Sequence, residues 1–316
     1  MTIFILTISF IFGLIIGSFL NVVIYRHNTN LKIYKGRSKC FSCGRYLDAK
    51  DLIPVFSYLF YKGRCRTCKS AVSIQYPLIE LLTAIMFTAI TYFYFFNIDN
   101  VVFIGNYIFN ATYILGIFIK YSYFKFIFYA FDLFILSIMI CIFVYDFKHK
   151  IIPDKLVYLA ALISFIKMLI LILLFKPTLG YSLLLLLSGP IVALPYALLF
   201  IVSGGRWMGL GDAKLSLVIG WSLGIAYGFN AAFIYASWTA LVVILAMFLT
   251  REMLDAFSNK NNPFGKKINF IHNKRLQLFR QYIPSFRLKS EIPFGPFIII
   301  GFYMMYFWGE SLLLMF

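Results

Sequence analysis

Charge is what this sequence has least of. Asp, Glu, Lys and Arg make up 13% of its 316 residues, only 12 residues are acidic, and 62% are hydrophobic. Soluble globular chains are about 45–50% apolar, so a soluble domain is excluded. Several apolar runs reach the roughly 20 residues that cross a bilayer. The sequence therefore predicts an all-α polytopic membrane protein. A second absence concerns the first segment, MTIFILTISFIFGLIIGSFLNVVIY, which has neither a basic n-region nor a small-residue cleavage site. It reads as a retained helix and not as a cleaved signal peptide. No repeat at a fixed period is visible.

The charge that is present is mostly basic: 29 Lys and Arg, for a formal net charge of +17. Residues 26–76 carry 11 bases against 2 acids, and residues 251–291 carry 9 against 3. Bases concentrated in two polar stretches mark cytoplasmic loops and contact with anionic membrane lipid, not a nucleic-acid surface. Helical spans are expected near 2–24, 76–96, 126–145, 155–175, 181–202, 214–228, 230–250 and 293–315. The stretch DFKHKIIPDK (146–155) is basic enough to be cytoplasmic as well. Only one crossing then fits between residues 97 and 145. The apolar run 101–119, which contains two Asn, is expected to stay out of the bilayer. About eight spans remain, with both termini outside.

Two groups of residues point to chemistry. Cys40-Phe-Ser-Cys43 and Cys65-Arg-Thr-Cys68 are CxxC pairs separated by 21 residues. Thiolates at this spacing close a tetrahedral, zinc-ribbon-like Zn²⁺ site with no open position, which is a structural and not a catalytic metal. A cytoplasmic location argues against disulfides. Gly44 follows the second ligand, where a knuckle turn needs positive φ. Cys141, alone in an apolar run, reads as packing.

The second group is acidic. Asp146 ends the third span and Asp212 opens the sixth, in GLGDAK. Both fall at the cytoplasmic ends of helices, so they share a membrane depth. Two carboxylates brought together share a proton, and one acts as acid while the other acts as base on a water. Gly209 and Gly211 lack Cβ and allow a sharp turn and close approach. Asp154 is expected to N-cap the fourth span, with a supporting role at the site as the alternative. His149 and Lys214 each lie within a turn of an aspartate, where they either tune it or anchor the helix to lipid phosphate. Glu80 either pairs with a base or contributes to a second site. Asp132 lies 14 residues before Asp146, roughly 21 Å along a helix, and cannot join the same pair.

In order along the chain, GSFLNVVIYR (17–26), CFSCGR (40–45), IPVFSYLFYKGRCRTC (53–68), YPLIELLTA (76–84), DFKHKIIPDKL (146–156), GLGDAKL (209–215) and IPFGPF (292–297) resemble the type IV prepilin peptidase family. The resemblance implies a GxGD-type aspartic peptidase of the bacterial cytoplasmic (inner) membrane, with Asp146 and Asp212 as the catalytic pair. Its substrates would be prepilin or pseudopilin precursors of type IV pilus and type II secretion systems. Cleavage would follow a Gly at the end of a short basic leader, on the cytoplasmic side. The resemblance also implies S-adenosylmethionine-dependent N-methylation of the new N-terminus. No Gly-rich nucleotide fingerprint follows a strand, so the residues that would bind the methyl donor are unassigned.

The expected division is residues 1–96, with the Cys-rich segment 27–75 as the methyltransferase region, and residues 97–316 as the peptidase with its basic loop 251–291. Only 13 residues separate Arg26 from Cys40, fewer than in many family members, and loop 251–291 is longer than usual. A peptidase without methyltransferase activity, and a transporter or scaffold using boundary acids as ion ligands, remain the alternatives. Against the transporter, no acid-rich pathway crosses the spans.

Overall fold

The computed structural model describes residues 1–96 except 28, 30, 31 and 33–35, residues 122–245 except 207 and 244, and residues 293–313. The expected surface run 101–119 and the basic loop 251–291 lie outside these residues. Within them the chain is helical, with two isolated antiparallel bridges and no strand. The helices are α1 (Thr2–Arg26), α2 (Phe56–Phe60), α3 (Gln75–Phe96), α4 (Ser122–His149), α5 (Asp154–Phe175), α6 (Leu179–Ser203), α7 (Leu210–Leu223), α8 (Ile225–Phe229) and α9 (Gly295–Leu313). α8 runs directly into a π-helical stretch, Asn230–Tyr235. Among the described residues, α1, α3, α4, α5 and α6 are long and apolar enough to cross a membrane, and Tyr227–Val243 and Gly295–Phe307 form shorter apolar helices. The protein is an all-α, multi-pass membrane protein. The expected eighth-span count is not decided by these residues.

One expected span shifts. The run placed at 214–228 is helical from Leu210 to Leu223 instead, because Gly224 takes φ +78 and its N–H closes on the Gly220 carbonyl at 2.8 Å. Glycine adopts that left-handed conformation without strain and ends the helix. Another boundary is set by Lys150 at φ +55, whose N–H bonds the Asp146 carbonyl at 2.7 Å, and by Pro153, which cannot continue a helix. α4 and α5 are thereby joined by a tight turn that carries Ile151 and Ile152.

Apolar helices in lipid gain little from burying apolar surface against one another, so they associate where small residues let backbones touch. α1 meets α3 through Gly13 and Gly17, where a Cβ would stand 2.6 Å from Ala84 Cα and 2.7 Å from Glu80 Cα. α6 meets α7 at Gly220, where a Cβ would stand 2.4 Å from the Ser188 carbonyl oxygen. Pro190 inside α6 removes the donor that would bond the Leu186 carbonyl. The Trp221 indole N–H of α7 takes that carbonyl at 3.1 Å, with Gly189 making room for the ring.

Away from the Cys-loop end, the buried Asp132 of α4 pairs with Lys167 of α5 and accepts from the hydroxyls of Tyr94 on α3 and Tyr306 on α9. Four helices thus close on one carboxylate. Removing one partner of a buried pair strands the other charge, at a cost of about 3–5 kcal/mol. Asp132→Ala is therefore expected to destabilise the protein by about 3–5 kcal/mol, read by thermal unfolding in detergent. The volume-conserving pair Asp132→Leu with Lys167→Met should recover most of that loss. Equal stability of Asp132→Ala and wild type would show that the pair contributes nothing.

Candidate active site

Asp146 lies in the last turn of α4 and Asp212 in the first turn of α7; they are 3% and 7% exposed. Their charges bear on one another. Gly209 is the extended N-cap of α7, with φ −80 and ψ 151, and its backbone N–H is directed at the Asp212 carboxylate. Ile152, from the α4–α5 turn, wedges between the two segments. A Cβ on Gly211 would stand 2.9 Å from Ile152 Cβ. A Cβ on Gly295, at the start of α9, would stand 2.5 Å from Asp146 Oδ2 and 3.1 Å from Ile152 Cδ1. Gly211 and Gly295 therefore act through absence: a side chain at Gly295 would run into Asp146, and one at Gly211 would displace Ile152. The Gly295 N–H points toward the Asp146 carboxylate, yet Oδ2 is buried with no partner inside hydrogen-bonding limits. A buried acceptor left open in this way is where a reacting water or a substrate group can bind.

The other expected site residues divide. Lys214 donates to Asp154 at 2.7 Å and sits over the Tyr158 ring, 5.1 Å from its centroid. It is engaged away from the acid pair. Asp154 does not N-cap α5. Pro153 is the cap residue, with no side-chain cap bond, and Asp154 is the first helical residue. Its carboxylate, freed from capping, faces Lys214 across the helix pair and suits the positive N-terminal end of α5. His149 is exposed and packs its ring on Tyr145, centroids 4.6 Å apart. Glu80 meets no base among the described residues; it accepts the Val55 N–H at 2.7 Å.

Two neighbours of the acid pair were not legible as such. Tyr196 is fully buried, its charge environment includes Asp212, and its hydroxyl donates to the Ala232 carbonyl of the π-helical stretch. Its ring stacks on Phe233 at 4.4 Å. A π-turn displaces carbonyls from the regular ladder, and Tyr196 satisfies one of them directly behind Asp212. In sequence it is one aromatic among 37 Phe and 22 Tyr, so nothing singles it out. Gly295 was visible within IPFGPF, but its contact with Asp146 was not.

The four cysteines of the loop converge: one sulfur from each of Cys40, Cys43, Cys65 and Cys68 lies within 4.8 Å of the others. Cys40 and Cys68 Sγ stand 3.8 Å apart and no disulfide forms. Tetrahedral Zn–S bonds of about 2.3 Å put sulfurs about 3.8 Å apart, so the donor set fits zinc. The two CxxC turns repeat one geometry. Gly44 N–H bonds the Cys40 carbonyl at 2.9 Å and Lys69 N–H the Cys65 carbonyl at 3.1 Å. Both residues take positive φ, +70 and +57. Antiparallel bridges Lys39–Tyr46 and Arg64–Ala71 close the two turns. Backbone N–H groups of Cys43 and Ser42 bring the Cys40 thiol down to about 6, and the Ser70 hydroxyl and N–H lower Cys68. Cys40 and Cys68 are thus nearer the thiolate that a metal requires than Cys43, which is pushed up to about 11.

Comparison with known proteins adds the following. Residues 11–94 match the bacterial peptidase A24 N-terminal domain, and residues 133–250 match the type IV leader peptidase family. The chain is 46% identical over 84 residues to the prepilin leader peptidase/N-methyltransferase of Bacillus subtilis (strain 168), covering 27% of this chain and 34% of that protein. It is 46% identical over 80 residues to the protein of the same description in Myxococcus xanthus (strain DK1622), covering 25% and 24%. It is 41% identical over 93 residues to the type 4 prepilin-like proteins leader peptide-processing enzyme of Escherichia coli O78:H11 (strain H10407 / ETEC), covering 24% and 35%. The matched stretches thus span about a third or less of these relatives' own length. No solved structure matches the chain.

A thiol with its pKa lowered to about 6 is mostly thiolate above that pH and protonated below it. In metal-free protein, alkylation of Cys40 should therefore rise through pH 6 and level off near neutrality, whereas an ordinary thiol rises near 8.5. Added Zn²⁺ should protect all four loop cysteines together. Peptide mapping by mass spectrometry reads both effects, and alkylation of Cys40 unchanged by zinc would refute the metal site.

Proposed function

We infer the activity of this chain from its family: it belongs to the type IV leader peptidase family. It is a membrane aspartic endopeptidase that removes the short basic leader of prepilin-like precursors after a Gly. The observation that carries this reading is that Asp146 and Asp212 are buried at one end of the bundle within reach of one another's charge, with one carboxylate oxygen of Asp146 left without a partner.

Two carboxylates in one buried site do not both ionise freely, so the pair holds a proton. The charged member takes a proton from a water held at the open Asp146 oxygen, and the water attacks the scissile carbonyl. The protonated member gives its proton to the departing amine. Burial excludes bulk water and strengthens both transfers. Gly209, Gly211 and Gly295 keep side chains out of the space the peptide backbone must enter. The excess of bases in residues 26–76 supports a cytoplasmic location for this end of the bundle, in the bacterial inner membrane. Asp132 is already paired with Lys167, which weighs against an ion-transport role.

The names of the Bacillus subtilis and Myxococcus xanthus relatives support a second step, N-methylation of the amine exposed by cleavage. S-adenosylmethionine, when bound, supplies an electrophilic methyl group. Within residues 1–96 the Cys-rich segment 27–75 is the methyltransferase region, and residues 97–316 are the peptidase. Zinc held by Cys40, Cys43, Cys65 and Cys68 would order the first cytoplasmic loop and, with four protein ligands, leave no position for chemistry.

The test uses purified protein in lipid with a full-length prepilin. Asp146→Asn and Asp212→Asn are each expected to slow leader removal by roughly 10²–10⁴-fold while thermal unfolding stays near wild type. Product mass shows whether wild type also adds one methyl group. Cleavage unaffected by either substitution would move the chemistry to other residues.

A further inference from the structure

Three features converge where α1, α3 and the Cys loop meet, and none of them serves the acid pair. The first is Glu80 on α3, a carboxylate 7% exposed with no cationic partner among the described residues. Its hydrogen bonds come from the Val55 N–H at 2.7 Å and the Ser18 hydroxyl. The second is Asn21 on α1, 3% exposed. Its Nδ2 donates to the Gly17 carbonyl at 3.3 Å and the Tyr76 carbonyl at 3.2 Å. Two carbonyl partners fix which end of the amide is nitrogen, so the oxygen is fixed too, and Asn21 Oδ1 is buried with no partner. The third is Val55, a β-branched residue held at φ +61, ψ −50 with its N–H on Glu80. Backbone strain of this kind persists only where the surroundings impose it, and it clusters at functional sites.

The geometry joins these features. Ser18 and Asn21 are three apart and share a face of α1, and Tyr76 and Glu80 are four apart on α3. Gly17 brings the two backbones into contact beside Glu80. Glu80, with its carboxylate, and Asn21, with its open amide oxygen, therefore belong to positions about one turn apart on facing helices. Their complement is a cationic donor of N–H bonds. A divalent metal would need about six oxygens, which this place does not offer; an amine needs two or three acceptors. The same end of α1 leads toward the acid pair. Asn21 is six residues from His27, roughly 9 Å along α1, and the His27 ring meets Tyr145, the neighbour of Asp146, with centroids 5.1 Å apart.

We propose that Glu80 and Asn21 bind the N-terminal amine of the cleaved precursor and hold it for methylation, an assignment that rests on the methyltransferase reading above. The amine arrives as an ammonium, bonded to Glu80 and to Asn21 Oδ1. It gives one proton to the Glu80 carboxylate, and its freed lone pair forms the N–C bond to the methyl group of a sulfonium donor. The S–C bond breaks as the N–C bond forms, and its electron pair stays on sulfur, leaving a neutral thioether. Glu80 returns its proton to water.

Glu80→Gln separates this role from a simple latch, because the amide still accepts from Val55 but carries no charge and takes no proton. With full-length protein in lipid nanodiscs, Glu80→Gln and Asn21→Leu should cleave prepilin within about twofold of wild type. Methylation of a precleaved pilin peptide should fall by roughly 10²-fold or more in Glu80→Gln. Without any methyl donor, wild type should bind that peptide about tenfold more tightly than its N-acetylated form, and Glu80→Gln should bind both alike. Methylation at the wild-type rate, or retained discrimination, in Glu80→Gln would overturn the proposal. So would parallel loss of cleavage and methylation together with release of zinc, which would mean that the Glu80 charge serves only to hold the Cys loop in place. A wild type that cleaves but never methylates would sink the methyltransferase reading instead, and the binding comparison then decides the amine site alone.

Discussion

A carboxylate inside an apolar helix bundle is costly unless something satisfies it, and this constraint organises the molecule. Among the described residues, four acids are buried in the helices: Glu80, Asp132, Asp146 and Asp212. Asp132 is fully answered, by a lysine and two tyrosines from three other helices. The remaining three have no cation among the described residues. Glu80 has only a strained backbone N–H and a hydroxyl. Asp146 and Asp212 have backbone amides directed at them and each other. Satisfaction at one end of the bundle and incompleteness at the other separate what holds the helices together from what is open to chemistry.

Incomplete acids survive only on a rigid frame, and backbone contact supplies the frame. Gly13 and Gly17 seat α1 on α3, and Gly220 seats α7 on α6. The break at Pro190 in α6 is repaired by a side chain of α7: Trp221 takes the carbonyl that Pro190 leaves open. Tyr196, next to Pro195, reaches the π-helical carbonyl of Ala232. These contacts surround α7, the short helix that presents Asp212. Its placement depends on α6, α5 and α9 together, and not on its own 14 residues.

Local patterns were readable because they need no partner. The CxxC spacing announces a metal loop whatever the rest of the chain does, and the four sulfurs do converge. Asp146 and Asp212 stood out because acids at the ends of apolar runs are rare, and depth alone brought them to one end of the bundle. Reading failed where one residue had several possible partners. Asp154 looked like a cap and is instead the ion-pair partner of Lys214. The sixth span was placed four residues too far along, because hydropathy does not register that Gly224 turns the backbone left-handed.

The sequence by itself determined the class of molecule and the inventory of its reactive groups. Hydrophobic runs must enter lipid, bases stay outside it, and cysteine pairs at knuckle spacing can close around a metal, all from short-range chemistry. Only the tertiary structure decided which groups are satisfied and which are left open. It pairs Asp132 with Lys167, places Gly295 against Asp146 and Val55 against Glu80, and leaves Asn21 Oδ1 and Asp146 Oδ2 without partners. Each of these contacts joins residues more than twenty positions apart, or depends on the failure of one to form. Hydrogen-bond satisfaction is a property of the packed interior, and no window of sequence contains it.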